Sequence, residues 1–435
     1  MNEILNINIL GKINFKELQV LYLNMNKISD INILEQVKLK ELQILDLSNN
    51  KISDINILEK VNFEKLNKLY LDDNEISDID VLEKVNFKKL KNLSLYHNNI
   101  SDIKVLENVD FKELEILSLY ENKISDINIL EKVNFKELKT LQIFANDIKD
   151  INVLQKVKFE KLEFLGLNRN KISDISVLEK VNFKELNKIY MESNNISDIS
   201  VLDKVNFEKL ENLCLHTNNI SDISVLERAN FKNLKVLALG QNNLTDDAIK
   251  VLERVKFEKL EELYLNNNQF TNINFMKKAN FKELKSFHVY LNEVIDINNI
   301  EDAKIDKIEK LGFNQNKISD INLSKELYFK CLKELYFEYN NLFSIQFLEK
   351  FSCPNLQILS LHHNNISDIA ILEKVNFKEL NKLYLAQNNI SDINVFEITN
   401  LENLEDLYLN DNNIDIEKNI LLISLLDYKI KNFSY

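Results

Sequence analysis

The sequence predicts a solenoid, an elongated stack of coils each built from a short strand and a short helical segment. Three observations predict it. A 24-residue phrase, written from Leu66 to Lys89 as LNKLYLDDNEISDIDVLEKVNFKK, recurs from Leu18 almost to the C-terminus; a fixed period of this size marks a repeat architecture. Inside the phrase, Leu69-Tyr70-Leu71 alternates in and out with strand period, and the pattern then changes. One column holds asparagine in every phrase, from Asn26, Asn50 and Asn74 through to Asn412.

Bulk properties narrow the class further. Length alone would allow two or three domains among 435 residues, but a solenoid is one body whose core grows unit by unit. Four glycines and one proline, Pro354, leave little room for linkers. A net charge of −13 argues against a nucleic-acid partner, which normally meets a basic stripe. Cys214, Cys331 and Cys353 are too few, and odd in number, for a disulfide framework, so a reducing compartment is expected. Met1 to Phe15 shows no basic stretch followed by an apolar run. No run of about 18 apolar residues occurs, so no membrane span is expected. The expected location is cytoplasmic, or secreted or cell-surface if an upstream signal is missing.

Taken in order, residues 1–17 form an incomplete first repeat. Ile7 to Phe15 matches the back half of a phrase with no capping sequence before it. Ile4, Ile7, Leu10, Ile13 and Phe15 would present an open edge, a surface for self-association unless the natural protein is longer. Residues 18–403 form the solenoid, and 404–435 the last repeat and a C-terminal cap. The seventeen repeats, numbered here from Leu18 to Leu404, are spaced by 24 residues except for one of 26 at 234–259. After each strand, Asn56-Ile57-Leu58-Glu59 and its counterparts have capping-box spacing, which predicts a helical piece of about one and a half turns. Phe63, Phe87 and Phe111 begin a column expected to stack as a spine, with Cys353 taking a core place in it. The asparagine column should satisfy backbone groups of its own and the adjacent coil. Asp247 and Ala248 are the insertion in repeat 10, where Thr245 should cap a helix longer by about half a turn. Between Glu293 and Phe329 the phrase degrades, with Ile305 in place of Phe, Ile308 in place of Leu and Ser324 at a core position. Ile420 to Leu426 should form a capping helix, and Tyr428 to Tyr435 should close the last layer.

Leu-x-x-Leu-x-Leu-x-x-Asn-x-Ile is the signature of the leucine-rich repeat, which this chain resembles over nearly its whole length. Asn-x-Ile-Ser-Asp-Ile-x-x-Leu, as in Asn122 to Leu130, resembles the SDS22-like class, which includes the bacterial internalins; the period here is two residues longer. The resemblance implies an α/β solenoid of horseshoe shape, with a concave parallel β-sheet and short convex 3-10 or α-helical segments. It also implies a non-enzymatic protein–protein interaction scaffold of adaptor or regulatory type, binding a protein partner on its concave face. The alternative is a secreted or surface-exposed adhesin or effector of internalin type.

Candidate binding residues lie where strand side chains face away from the core. All five histidines and eleven of the fourteen tyrosines fall there, and such side chains combine an apolar body with a polar tip. The set is Tyr70, Tyr96, Tyr120, Phe144, Tyr190, Glu192, Cys214, His216, Tyr264, His288, Tyr290, Tyr336, His362, Tyr384 and Tyr408. Tyr96, Tyr120 and Phe144 share a column in consecutive repeats and should form an aromatic strip. Tyr190, Glu192, Cys214 and His216 should form a second patch with a dip at Ala238 and Gly240. Cys214 and His216 share a strand face, yet side chains two apart on a strand stand about 6.5–7 Å from each other. With no oxyanion device and no third ligand, no catalytic residue, metal or cofactor is expected. His362 and His363 are adjacent and should point in different directions.

Overall fold

In the computed structural model, residues 3–399 and 402–435 are described. The first two residues of the incomplete repeat, and residues 400 and 401 near the end of repeat 16, lie outside them. The chain divides into two compact units, Met1–Asn218 with Ala229–Phe231, and Asn219–Arg228 with Lys232–Tyr435.

The first unit carries nine three-residue strands, from Val20–Tyr22 to Asn212–Cys214. They pair in parallel with a constant offset of one repeat, as in Leu45↔Leu69, Leu69↔Leu93 and Leu93↔Leu117. The central leucine of each strand points inward; Leu45, Leu69, Leu93 and Leu117 are all fully buried. Leu66, Leu71, Ile76, Ile79, Leu82 and Phe87 complete one layer, each at most 1% exposed, and each contributes about 1.5–3 kcal/mol by leaving water. The phenylalanine column is buried as a spine, with Phe63 and Phe87 stacked at 6.3 Å. Ile7 and Leu10 are also buried. The first edge is therefore more closed than the sequence predicts, because the 3-10 turn Asn8–Lys12 packs as a half coil on the next turn, Asn32–Gln36. Ile4, Ile9 and Ile13 remain exposed.

The helical pieces are 3-10 turns such as Asn56–Glu59 and Asn128–Glu131. The capping box does not form: Asn56 is the first helical residue, and Ile55 at the cap has no side chain that can accept. Asp54 does the work instead, its Oδ1 accepting from the Asn56 N–H at 2.8 Å. Asp78, Asp126 and Asp198 repeat this bond. The aspartate of Ser-Asp-Ile is thus the turn residue, because its carboxylate reaches the backbone two residues on. It holds Asp174 and Asp198 below the ordinary carboxylate range, through the N–H of Ser176 and Ser200 respectively. Lysines and glutamates on these turns pair across coils, as in Lys132–Glu107 at 2.8 Å and Lys156–Glu131 at 2.7 Å.

The bend after each strand has two components. The residue before each ladder asparagine has positive φ, between 50° and 57°, in all seventeen repeats, and none is glycine. The asparagine itself bridges coils. Asn146 donates to the Ile143 and Phe144 carbonyls of its own coil and to Leu119 O of the preceding one at 3.0 Å. Its Oδ1 accepts from the Ile124 N–H at 2.9 Å.

Among the described residues, the second unit repeats this scheme through nine strands of the main sheet, from Val236–Ala238 to Asn432–Ser434. The insertion in repeat 10 becomes an α-turn, Asp246–Ile249, ahead of the usual 3-10 turn, so the strand pairing Leu237↔Leu263 is kept. Thr245 makes no side-chain cap. Asp246 instead accepts from the Thr271 N–H and hydroxyl, at 2.8 and 2.7 Å. In the degraded stretch Leu323 and Leu327 are buried and Ser324 is exposed, its hydroxyl on Glu301; serine therefore leaves the core place predicted for it, which a leucine can fill without an unpaired hydroxyl. Leu327–Tyr328 and Phe351–Ser352 form a small second parallel sheet. Cys353 is buried in the spine column.

The cap helix runs Ile416–Lys429, longer than predicted, with Asp415 accepting from the Lys418 N–H. Leu422, Ile423 and Leu426 face inward, and Asn432–Ser434 adds a strand beside Asp406–Tyr408. Tyr428 is 90% exposed and Tyr435 51%, so closure comes from the helix and the added strand rather than from these rings.

Two outcomes check this description. Asn146→Ala leaves buried backbone groups unpaired and should cost about 1–3 kcal/mol, read as a lower thermal midpoint with an unchanged far-ultraviolet circular dichroism spectrum below the transition. Ala145, at positive φ, should tolerate glycine, whereas Ala145→Val should lower the midpoint, because a branched Cβ at this φ costs about 1–2 kcal/mol.

Candidate partner-binding face

The same register that buries Leu69, Leu93 and Leu117 turns their neighbours outward. In the first unit three columns run across the strands on the free face of the sheet. The middle column is Tyr70, Ser94, Ser118, Gln142, Gly166 and Tyr190, paired one to one along the ladder. On one side lie Asn92, Ile116, Thr140 and Phe164. On the other, just past the strands, lie Asp72, Tyr96, Tyr120 and Phe144.

The predicted aromatic strip forms. Tyr96 and Tyr120 stack at 4.2 Å and 7°, and Tyr120 and Phe144 at 4.1 Å and 12°. All three rings are half-buried, with Tyr120 stacked between the other two. Burial, then the neighbouring Tyr96, raises the Tyr120 phenol, so it stays neutral through the physiological range. Phe164 packs edge-on against Tyr190 at 5.1 Å. Gly166 lies between the two phenylalanines: a Cβ there would sit 3.1 Å from Phe164 and 3.3 Å from Phe144.

Asp72, which strand alternation puts on this face, is a member that the predicted set leaves out. It is 4% exposed, and its Oδ1 accepts from the Ser94 hydroxyl and from the Tyr96 N–H at 3.1 Å. Burial pushes its carboxyl up to about 6, against the pull of those two hydrogen bonds. Its signal was available: an acid in the column that holds tyrosine in the next two repeats. Next to it His97 contacts the Asp73 carboxylate, which raises the imidazole above its ordinary value. Glu192 lies farther along the same column, with its carboxyl raised by burial and its Oε2 buried without a hydrogen-bond partner.

The second predicted patch draws on residues of both units. His216 belongs to the first unit with Cys214, and burial lowers its imidazole below the ordinary value. Ala238 and Gly240 belong to the second unit. The Gly240 position is no dip, because a Cβ there would meet the Asn266 side chain at 2.6 Å. The glycine makes room for a neighbour one coil away.

The second unit has its own aromatic face. His288 stacks on Tyr264 at 5.0 Å and meets Tyr290 edge-on at 5.9 Å. Its Nε2 lies 2.8 Å from the Ser286 hydroxyl, and burial, then Lys310, pushes its imidazole down to about 4. Gly312 makes room for that ring. Lys310 lies 5.2 Å above the Tyr336 ring, whose hydroxyl donates to Glu334 at 2.8 Å. Tyr384 stacks on Tyr408 at 5.2 Å. The rings of His362 and His363 come within 5.4 Å of each other at 63°, and both pack on Tyr339. The positive φ of His363 brings back together two side chains that strand alternation would separate. Among the described residues no group of three or more His, Cys, Asp or Glu side chains is placed to hold a metal ion, and no helix is long and apolar enough to cross a membrane.

A family profile described as leucine rich repeats (2 copies) matches residues 16–60 and 354–397. A leucine-rich repeat protein of Leptospira interrogans superposes with a TM-score of 0.68 at 22% identity, over 97% of this chain and 94% of that one. The chain has the leucine-rich repeat fold. Two further leucine-rich repeat neighbours share the fold. The functional domain of InlJ from Listeria monocytogenes gives a TM-score of 0.58 at 18% identity, covering 86% of this chain and 75% of that one. The plant peptide hormone receptor RGFR1, in complex with RGF2, gives 0.60 at 21% identity, covering 91% and 67%. At these identities the likeness is one of fold. No curated protein matches this leucine-rich repeat chain in sequence.

The raised Asp72 carboxyl sets a pH dependence. Its folded value of about 6 lies above the unfolded value near 4, so the ionised form is the costly one. Its contribution is complete below about pH 4 and is lost as pH rises through about 6. Asp72→Asn should therefore match the wild type in stability near pH 4 and exceed it at pH 7, by about 1–3 kcal/mol. Thermal midpoints from pH 4 to pH 8 check this.

Proposed function

We propose that this leucine-rich repeat protein is a non-enzymatic interaction scaffold that holds a polypeptide partner on the free face of its sheet. The observation that carries the reading is the ring stack Tyr96–Tyr120–Phe144. These rings are stacked on one another and half-buried, and rigid aromatic groups of this kind supply contact area at low entropic cost. Aromatic side chains dominate interface energetics. The leucine-rich repeat fold is a protein-interaction scaffold type, and a similar plant receptor is seen in complex with RGF2.

An adaptor or regulatory role inside the cell is the reading that the free thiols of Cys331 and Cys353 favour. A surface role of internalin type is the alternative favoured by the likeness in fold to the Listeria InlJ domain. Fractionation of host cells with antibody to the chain separates the two.

Tyr96→Ala with Tyr120→Ala should abolish capture of the partner from host extract while the thermal midpoint stays near that of the wild type. Ile143→Ala, at a fully buried position, should instead lower the midpoint, at about 2–5 kcal/mol. Capture of the same partner by the ring-deleted chain would overturn the reading.

A further inference from the structure

The ring stack is one wall of a trough. Its floor is the middle column, and this column is small where the stack is tall: Ser94 and Ser118 are buried at 5% exposure each, and Gln142 follows. The floor is internally bonded, with the Ser118 hydroxyl donating to Gln142 Oε1 at 2.6 Å. The far wall is Asn92, Ile116 and Thr140. At repeat 7 the Phe164 ring lies against Gly166 beside Phe144 and closes the trough. At repeat 3 it is closed by Tyr70, whose hydroxyl lies 3.4 Å from Asn92 Nδ2, and by Asp72. Four strand spacings separate the two ends, about 19 Å at ~4.8 Å each, which fits an extended segment of about six residues at ~3.3 Å each.

The charge of the trough is uneven. The carboxylate of Asp72 reaches the first floor residue, Ser94, and receives the backbone N–H of Tyr96, the first ring of the stack. Asp46, Asp73 and Glu121 are the acids near this end; their charges act on Asp72 or on the Tyr96 and Tyr120 phenols. Among the nearby cations, His97 is taken up by Asp73, and Lys68 lies two residues before Tyr70 on the same strand. A cation entering here would find the Asp72 carboxylate beside the first ring of the stack, a partner for the charge-assisted hydrogen bonds of ammonium and guanidinium groups.

Resting on the reading of the ring stack as the partner site, we propose that the trough takes an extended peptide segment that places a lysine or arginine side chain beside Asp72 and Tyr96 and apolar side chains along Tyr120 and Phe144. The acidic end selects the basic residue, and the small floor selects an extended backbone rather than a helix about 10 Å across.

A displayed library of random dodecapeptides, selected on the full chain, tests this. Peptides that lose tenfold or more of their binding on Tyr120→Ala should carry lysine or arginine next to an apolar residue. They should also weaken about tenfold on Asp72→Asn, which keeps an oxygen for Ser94 and Tyr96 and should stay folded by circular dichroism. They should be unchanged on Asp174→Asn, which removes one charge from an exposed turn. Tyr120-dependent peptides without a basic residue would overturn the charge selection and leave the partner site standing. Basic peptides that respond equally to Asp72→Asn and Asp174→Asn would show attraction by net charge alone and would also overturn it. If no selected peptide depends on Tyr120, the partner site falls and the trough assignment falls with it.

Discussion

The structure depends on the amide of one asparagine per coil. At the end of each strand the chain must turn through a left-handed residue, which L side chains disfavour by about 1–2 kcal/mol, and here it does so seventeen times without glycine. The asparagine that follows makes the turn stable. Asn194 donates to Leu167 O in the preceding coil and to Met191 O in its own, and accepts from the Ile172 N–H. The bonds tie each bend to the one before it, so strain at one coil is offset by contacts with its neighbour. An uncompensated buried carbonyl or N–H would cost as much again.

Register follows from that ladder. With each bend fixed to the last, strand residues pair at a constant offset, and every leucine column falls inward. The alternation of side chains then leaves one face of the sheet without a covering layer. Sheet faces usually meet helices or another sheet; here the helical turns stay on the other side of the core, and the uncovered face carries stacked rings. Its members are held by each other: Tyr96 on Tyr120, His288 on Tyr264, Tyr384 on Tyr408. Such rings are ordered before any partner arrives, which lowers the entropic cost of binding.

The period, the strand positions, the asparagine column and the aromatic strip were all legible in the sequence, because each is a pattern within one phrase or at one fixed spacing. What was not legible depends on side chains one coil apart. Gly240 reads as a dip until Asn266 is seen to fill it. Asn56 reads as a cap, but the 3-10 turn starts one residue earlier than a capping box needs, and Asp54 takes the role. Asp72 reads as a solvent-facing acid, yet Ser94 and the Tyr96 N–H, 22 and 24 residues on, draw it below the surface. Ser324 sits at a core position by count only, since the local turn is lost between Ile321 and Leu327.

The central claim is that the asparagine-fixed register leaves the ring-bearing face open while sealing its neighbours. Thiol accessibility measures this directly. In a background with the three native cysteines replaced by serine or alanine, Tyr120→Cys should react with a bulky maleimide at nearly the rate of the unfolded chain, and Leu119→Cys should react only after denaturant is added. Equal protection of both sites, or rapid labelling at Leu119→Cys with protection at Tyr120→Cys, would contradict the register and the open face derived from it.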